Sequence, residues 1–326
     1  MKTAKKLTVG SMFAGIGGID IAFIDAGFDV VWANEMDSAA CRTYRHNFDG
    51  SVLEEKDIKK INKLNIPVFD VLVAGFPCQP FSVAGKQQGF KHKSGDLFFQ
   101  IIEVVKIVKP KVIFLENVAN LIDHNEGKTF NTMFSSLAGM NYYIRYKNMS
   151  ANEYGNIPQT RNRTYIVAFN NESACEHFNF PEPMKLTLGI FDVIDRFEKK
   201  KPIYYYNEDD NFYPNIKKQV TRSDSIYRVY NSQIHIAKSH TCPTLHAFMG
   251  TDLRTVPIVK DKYGYRRLTI QEYLDFQGFP KNYSFPAGTR INEAYKQIGN
   301  SVCVPVIKRI ADQIKKIMIG ENNELR

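Results

Sequence analysis

The chain has 326 residues, enough for one large α/β domain and a smaller companion, and no apolar stretch approaches the roughly 20 residues needed to span a bilayer. A net charge of +9 favours a polyanionic partner and salt-sensitive binding, although many basic surfaces are merely solvated. The five cysteines, Cys41, Cys78, Cys175, Cys242 and Cys303, are far apart and include no CxxC pair, which argues against a disulfide framework or a structural zinc site.

Residues 7–12 are a short apolar run that predicts the first strand, so the basic N-terminus leads into strand and turn and not into a signal peptide. Behind it, Phe13-Ala-Gly-Ile-Gly-Gly18 is a glycine-rich turn, where missing side chains let a ligand approach the backbone. The dinucleotide pattern GxGxxG fails, because counting from Gly15 the last position is Asp20, and no Gly-Lys-Ser/Thr of a phosphate loop follows. Such a turn suits a nucleoside ligand without phosphates. Residues 19–26 predict a helix stopped by Gly27, and residues 30–33 a second strand. Glu35, just past that strand, is placed to accept hydrogen bonds from ribose hydroxyls, and an ordinary surface glutamate fits the same position.

The run 69–74 is apolar and β-branched, as expected of a buried parallel strand whose carboxyl end opens into a crevice. It leads into Gly75-Phe-Pro-Cys-Gln-Pro-Phe-Ser82, where Pro77 and Pro80 fix φ on either side of Cys78 and stop the ladder. A rigid turn of this kind presents a nucleophile; a buried structural cysteine is the plain alternative. Residues 98–108 predict a helix ended by Lys109-Pro110, residues 112–115 a strand with Glu116 at its end, and residues 164–169 another strand. The whole alternation predicts a doubly wound, mostly parallel sheet. Arg161 and Arg163, two apart, share a face if their segment is extended.

After Pro181 and Pro183 the alternation stops. Residues 185–265 are rich in Tyr, Lys, Asn and Asp and predict a smaller, irregular domain. Within it, His240, Cys242 and His246 invite a metal reading, but no second cluster completes a ligand set, and no metal is expected. Thr269-Ile-Gln-Glu272 is a capping box opening a short helix that ends at Gly278. Ile307, Ile310, Ile314 and Ile317 recur at helical spacing and predict a C-terminal helix packed back on the sheet. The expected division is a first domain of residues 1–184, completed by 291–326, and a second of residues 185–290.

Taken in order, Phe13 to Gly18, Glu35, Asp57, Pro77-Cys78-Gln79, Glu116-Asn117-Val118, Gln159-Thr-Arg-Asn-Arg163, the stretch from Arg267-Leu-Thr to Gly278-Phe-Pro280, and Gly299-Asn-Ser-Val302 resemble one family over nearly the whole chain. It is the DNA cytosine-5 methyltransferases of bacterial type, which use S-adenosylmethionine. The resemblance implies a Rossmann-like class I methyltransferase fold, with 1–184 and 291–326 as catalytic and cofactor-binding domain and 185–290 as target-recognition domain and hinge. It implies methyl transfer to C5 of a cytosine flipped out of a specific double-stranded DNA sequence, through a covalent bond from Cys78 to C6. Cytosine C5 is a poor nucleophile, so a thiolate adding at C6 and an acid at N3 are what the chemistry requires. Glu116 is the implied acid, Arg163 reaches the cytosine O2, and Arg161 helps to order Arg163.

For the cofactor, the resemblance implies Phe13, Ala14, Gly15, Gly17 and Gly18 in the turn, with Glu35 and Met36 after the second strand. Asp57 and Ile58, Phe76 and Pro77, and Asn300, Ser301 and Val302 complete the set. Residues 82–96 carry Gly85, Gly89 and Gly95 among lysines, the composition of a loop able to close over DNA, so Gln79, Ser82, Lys86 and Gln87 are expected DNA contacts. Gln233, Thr244 and Arg254 are expected to meet DNA from the second domain. The implied setting is a cytoplasmic monomer, without membrane attachment, that modifies the site of a cognate restriction endonuclease. Three other readings fit the residues less well. A tRNA cytosine-5 methyltransferase would carry a Cys-Phe-Thr element missing here; a catalytically silent DNA-binding protein would have lost nucleophile, acid or turn; a nicotinamide dehydrogenase fails on the glycine pattern.

Overall fold

The apolar runs become the strands of a seven-stranded sheet in the order β3-β2-β1-β4-β5-β8-β6. The computed structural model describes residues 6–76, 96–231, 233–237 and 240–324. Two compact units emerge: Met1–Met149 with Asn162–Glu182 and Val306–Arg326, and Ser150–Arg161 with Pro183–Pro305.

In the first unit β1 (Thr8–Met12), β2 (Asp29–Glu35), β3 (Leu53–Glu55), β4 (Val71–Gly75) and β5 (Val112–Val118) run parallel. The other two strands are β6 (Tyr143–Ser150) and, past β7 (Gln159–Thr160) of the second unit, β8 (Asn162–Phe169). β8 lies antiparallel to β5, with Val118 opposite Arg163. Strand order reverses at β1, which has β2 on one side and β4 on the other. The crevice beyond the carboxyl ends of β1 and β4 is therefore the switch point where ligands of such sheets bind.

Helices α1 (Gly18–Asp25), α2 (Ser38–Asn47), α3 (Asp96–Val108) and α4 (Lys128–Ala138) flank the sheet. Leu72, Ala74, Ile113 and Leu115 meet Phe98 and Ile101 of α3 and Met133 and Leu137 of α4 in one apolar cluster. Phe114, whose side chain alternates to the opposite face, takes Phe23 of α1 edge-on at 5.5 Å. Ile307, Ile310 and Ile314 of the C-terminal helix Val304–Glu324 are fully buried, as their spacing predicts. Lys315 Nζ donates to Ala26 O at 2.8 Å, a cation on the carbonyls that end α1.

The five predicted strands exist with shifted ends. Glu116 lies inside β5 and not after it, and β3 and β6 were unforeseen. β3 has three residues, and β6 is largely exposed, so neither makes an apolar run.

The second unit corrects the expectation of an irregular domain. It contains a four-stranded antiparallel sheet in the order β10-β9-β12-β13. These are β9 (Ile226–Tyr230), β10 (Gln233–Ile236), β12 (Ile258–Asp261) and β13 (Gly264–Arg267), while the two residues of β11 (Cys242–Pro243) pair with β7. Strands this short, interrupted by Tyr, Arg and Lys, carry little periodic signal. Tyr206, Ile216, Tyr227, Ile234 and Ile258 form the core beneath them. The capping box is present: Thr269 Oγ1 accepts from Glu272 N, and Glu272 Oε2 accepts from Thr269 N.

Residues 291–305 and Ser150–Arg161 group with this unit, where the sequence had suggested the first domain. The reason is close backbone packing. A Cβ on Gly299 would lie 2.3 Å from the carbonyl carbon of His246, and one on Gly250 would lie 2.3 Å from Asn292 O, so the helix Ile291–Asn300 sits directly on the turn Ala247–Gly250. Among the described residues no helix is long and apolar enough to cross a membrane.

Candidate active site

The turn after β1 bends back on itself through positive φ at Phe13 (56°), Gly15 (57°) and Gly17 (81°). A Cβ added to Gly15 would meet nothing within 4 Å, so space lies open over that residue, whereas one on Gly17 would fall 2.3 Å from the Phe48 ring. One glycine leaves room for a ligand; the other permits packing. Ala14 N donates to Asn34 O at 2.9 Å, tying the turn to β2.

Glu35, the last residue of β2, clamps the same turn. Its Oε2 accepts from Gly15 N at 2.9 Å, and its Oε1 accepts from Met36 N at 2.7 Å and Asp37 N at 2.8 Å. A carboxylate offers about four acceptor sites, so one held this way can still receive a hydroxyl. Lys56 N donates to Glu35 O, which brings Asp57 and the buried Ile58 close behind; Asp57 caps the turn Ile58–Lys60 through Lys59 N at 3.0 Å. The structure thus gathers Phe13 to Gly18, Glu35, Met36, Asp57 and Ile58 at one end of the sheet.

Beneath the turn stands an acid that the sequence reading had used only as a mismatch. Asp20 is fully buried and accepts from Ser11 Oγ at 2.6 Å and Tyr44 OH at 2.7 Å, joining β1, α1 and α2. Burial pushes its carboxyl up to about 6, against the pull of both hydroxyls.

At the end of β5, Glu116 and Arg163 meet. Arg163 Nε lies 3.2 Å from Glu116 Oε1, and both side chains are largely buried. The contact is not aligned as a hydrogen bond, for among the described residues Glu116 Oε1 has no hydrogen-bond donor. Arg163 Nη1 donates to Asn162 O at 2.8 Å. Glu116 pairs with Gly75 across the β4–β5 ladder, and a Cβ on Gly75 would stand 3.7 Å from Glu116 Oε2. Asn117, which the sequence placed only within a motif, donates from Nδ2 to Phe76 O at 3.3 Å and accepts from Val118 N at 2.8 Å. That bond fixes the last peptide before Pro77. Pro77, Cys78, Gln79, Ser82, Lys86 and Gln87 lie outside the described residues.

Arg161 stands immediately before β8. It belongs to the second unit, where its guanidinium donates to Leu245 O at 2.6 Å and to Ser301 O. Residues two apart share a face only along a continuous strand, but β7 ends at Thr160 and β8 starts at Asn162, with Arg161 at the break. Asn300 is exposed, whereas Ser301 and Val302 are buried, and all three lie in the second unit with Gln233, Thr244 and Arg254. Thr244 Oγ1 donates to Thr160 O at 2.5 Å, and Arg254 donates to both oxygens of Asp252 at 2.9 Å through Nε and Nη2, which leaves its Nη1 group unused by that pair. Gln233 is exposed on β10.

The described cysteines are all buried. Burial, with the charges of Glu55 and Glu35, pushes the Cys41 thiol up to about 12, and burial raises Cys175 and Cys242 as well. Among the described residues no cluster of His, Cys, Asp and Glu is placed to hold a metal ion.

A family model for C-5 cytosine-specific DNA methylases matches residues 7–316. The chain belongs to this family. It is a DNA cytosine-5 methyltransferase, on a Rossmann-like sheet with a smaller second unit. Among curated relatives, the Type II methyltransferase M.Bsp6I of a Bacillus species is 46% identical over 318 residues, covering 96% of this chain and 100% of that protein. M.NlaX of Neisseria lactamica is 34% identical, covering 93% and 95%. Among solved structures, the DNMT2 triple mutant of Spodoptera frugiperda superposes with a TM-score of 0.74 at 19% identity, covering 95% of this chain and 100% of that one. A putative DNA modification methyltransferase from an E. coli prophage gives 0.72 at 20% identity, covering 96% and 100%. At these identities the structures speak for the fold.

Proposed function

We propose that the chain transfers the methyl group of S-adenosylmethionine to C5 of a cytosine flipped out of a specific site in duplex DNA, through a covalent bond between Cys78 and C6. The observation that carries this reading is the pair of Glu116 and Arg163 at the end of β5, in register with the end of β4 that leads into Cys78. The Type II names of the relatives support a modification role beside an endonuclease of the same specificity.

The residues divide the work as the chemistry demands. The Cys78 thiolate adds to C6 while Glu116 gives a proton to N3, so that negative charge does not build on the ring. Arg163, whose guanidinium has N–H groups beyond those used on Glu116 and Asn162 O, can donate to the cytosine O2. C5 then becomes nucleophilic enough to take a methyl group, which S-adenosylmethionine supplies as an electrophile. Loss of the C5 proton and rupture of the Sγ–C6 bond return the enzyme. The open space over Gly15 and the clamped Glu35 carboxylate suit an adenosine whose ribose hydroxyls donate to Glu35. The raised thiols of Cys41, Cys175 and Cys242 make poor nucleophiles, which favours Cys78.

The test is to incubate purified protein with methyl-labelled S-adenosylmethionine and mixed-sequence duplex DNA, digest to nucleosides, and locate modified sites by bisulfite sequencing. Label on 5-methylcytosine at one recurring sequence is expected. Label on adenine N6 or cytosine N4 contradicts the reading. A duplex with 5-fluorocytosine at the target should trap a covalent complex with wild type and none with Cys78→Ser.

A further inference from the structure

We propose that the exposed face of the β9–β10 hairpin reads base edges in the DNA major groove, with Arg228 as its guanine-reading residue. The inference rests on the proposed action on duplex DNA and names the surface that chooses the site.

The two strands pair with Tyr230 opposite Gln233 and Arg228 opposite His235. Side chains alternate across a strand, so these four share one face, and all four are exposed. Tyr227 and Ile234 point the other way, into the core of the unit, which fixes the register. Asn231, the residue after β9, takes a positive φ of 48°. β10 is the edge of its sheet, so nothing in that sheet flanks the hairpin on its outer side. A two-stranded ribbon of this size is one of the two elements that the major groove admits. Residues two apart on a strand stand roughly 7 Å from each other, about two base-pair steps of 3.4 Å. The face therefore matches a short run of neighbouring pairs.

Arg228 differs from its fellow arginines. Each other arginine of the second unit donates to a carboxylate or a carbonyl of that unit, as Arg222 does to Asp224 and Arg254 to Asp252. Arg228 makes no side-chain hydrogen bond or ion pair with another described residue, so its planar fork is unspent. Two parallel N–H groups match the O6 and N7 acceptors of guanine, and the amide of Gln233 matches N6 and N7 of adenine. His235 beside Arg228 and Tyr230 beside Gln233 add a donor and an apolar ring on the same surface.

The experiment first takes the methylated sequence from bisulfite data on the wild-type enzyme. It then measures binding and methylation of that duplex and its single-base variants by wild type, Arg228→Ala, Arg228→Lys and Gln233→Ala, at fixed and at varied salt. Thermal melts check that each variant is folded. Arg228→Ala is expected to lose roughly 5- to 150-fold discrimination at one guanine while keeping its preferences elsewhere. Arg228→Lys should retain more affinity than alanine yet lose the same discrimination, since a point charge lacks the fork. Uniform weakening on every sequence, with a salt slope shallower by about one, would mark a phosphate contact and overturn the proposal. Unchanged discrimination in folded variants also overturns it, and leaves the methyltransferase reading standing. If wild type itself fails to make 5-methylcytosine in duplex DNA, both readings fall.

Discussion

Two arginine–carboxylate groups, one in each unit, show what separates architecture from a site. Arg266 of the second unit is fully buried and saturated. Its Nε donates to Asp261 at 2.9 Å, Nη1 to Glu272 Oε2 at 2.8 Å and Arg267 O at 3.0 Å, and Nη2 to Glu272 Oε1 at 2.8 Å and Asp195 O at 2.7 Å. No donor is left for a ligand. Arg163 of the first unit meets Glu116 at 3.2 Å without alignment, and among the described residues Glu116 Oε1 has no hydrogen-bond donor. Buried polar atoms are normally satisfied, so a carboxylate oxygen without a donor among the described residues, beside an incompletely used guanidinium, has capacity for a further partner. The first group holds a domain together; the second is where the proposed mechanism places the base.

The largest expected effect breaks that contrast at the site. Glu116→Gln removes the proton that N3 needs and should cut kcat about 10²- to 10⁴-fold. Because the native contact is poorly aligned, the melting temperature should move little; a large fall would mean that Glu116 serves the fold. In the saturated group the reverse is expected. Glu272→Gln leaves Asp261 to balance the buried Arg266 but turns an amide NH2 toward guanidinium donors that had a carboxylate, and should cost about 1.5–3 kcal/mol in urea unfolding, with activity of the folded fraction kept.

A smaller effect sharpens the picture of the turn. Gly17→Ala imposes both a φ of 81° on an L side chain and a Cβ 2.3 Å from the Phe48 ring. Strain and overpacking should each cost about 1–3 kcal/mol, and binding of S-adenosylmethionine by calorimetry should weaken.

The smallest concerns Asp20. Its carboxyl holds a proton up to about 6 in the fold, against an ordinary value of 3.8. The folded state then binds more protons across that window, so this group's contribution falls as pH rises from about 4 to 6. Asp20→Asn has no such proton to lose. Relative to wild type, the variant should gain on the order of 2 kcal/mol between pH 4 and 7, read from unfolding midpoints at several pH values. Parallel curves would show that burial does not hold the proton there.

Much of the first unit was legible because buried parallel strands write themselves as apolar runs, and the turn after β1 as glycines. The antiparallel sense of β8 was not, since an apolar run of six carries no direction, yet that sense is what brings Arg163 opposite Val118 and beside Glu116. Glu116 and Arg163 could be named from the sequence; their misaligned contact could not. A spacing of two puts Arg161 and Arg163 on one face only along a continuous strand, and the break between β7 and β8, where Arg161 donates to Leu245 and Ser301, leaves no mark in the sequence. The bonds of Thr244 to Thr160 and of Arg254 to Asp252 join residues that the sequence does not link by any motif. Asn117 and Asp20 were visible as letters, but their tasks depend on neighbours more than 20 positions away in the chain.

The most direct test of the account is single-turnover methyl transfer by Glu116→Gln, on a cognate duplex with saturating S-adenosylmethionine, with its melting temperature measured in the same buffer. The account expects transfer slowed at least about 100-fold in a protein that melts within a few degrees of wild type. Wild-type transfer by a normally folded variant, or loss of activity that merely follows loss of fold, would contradict it.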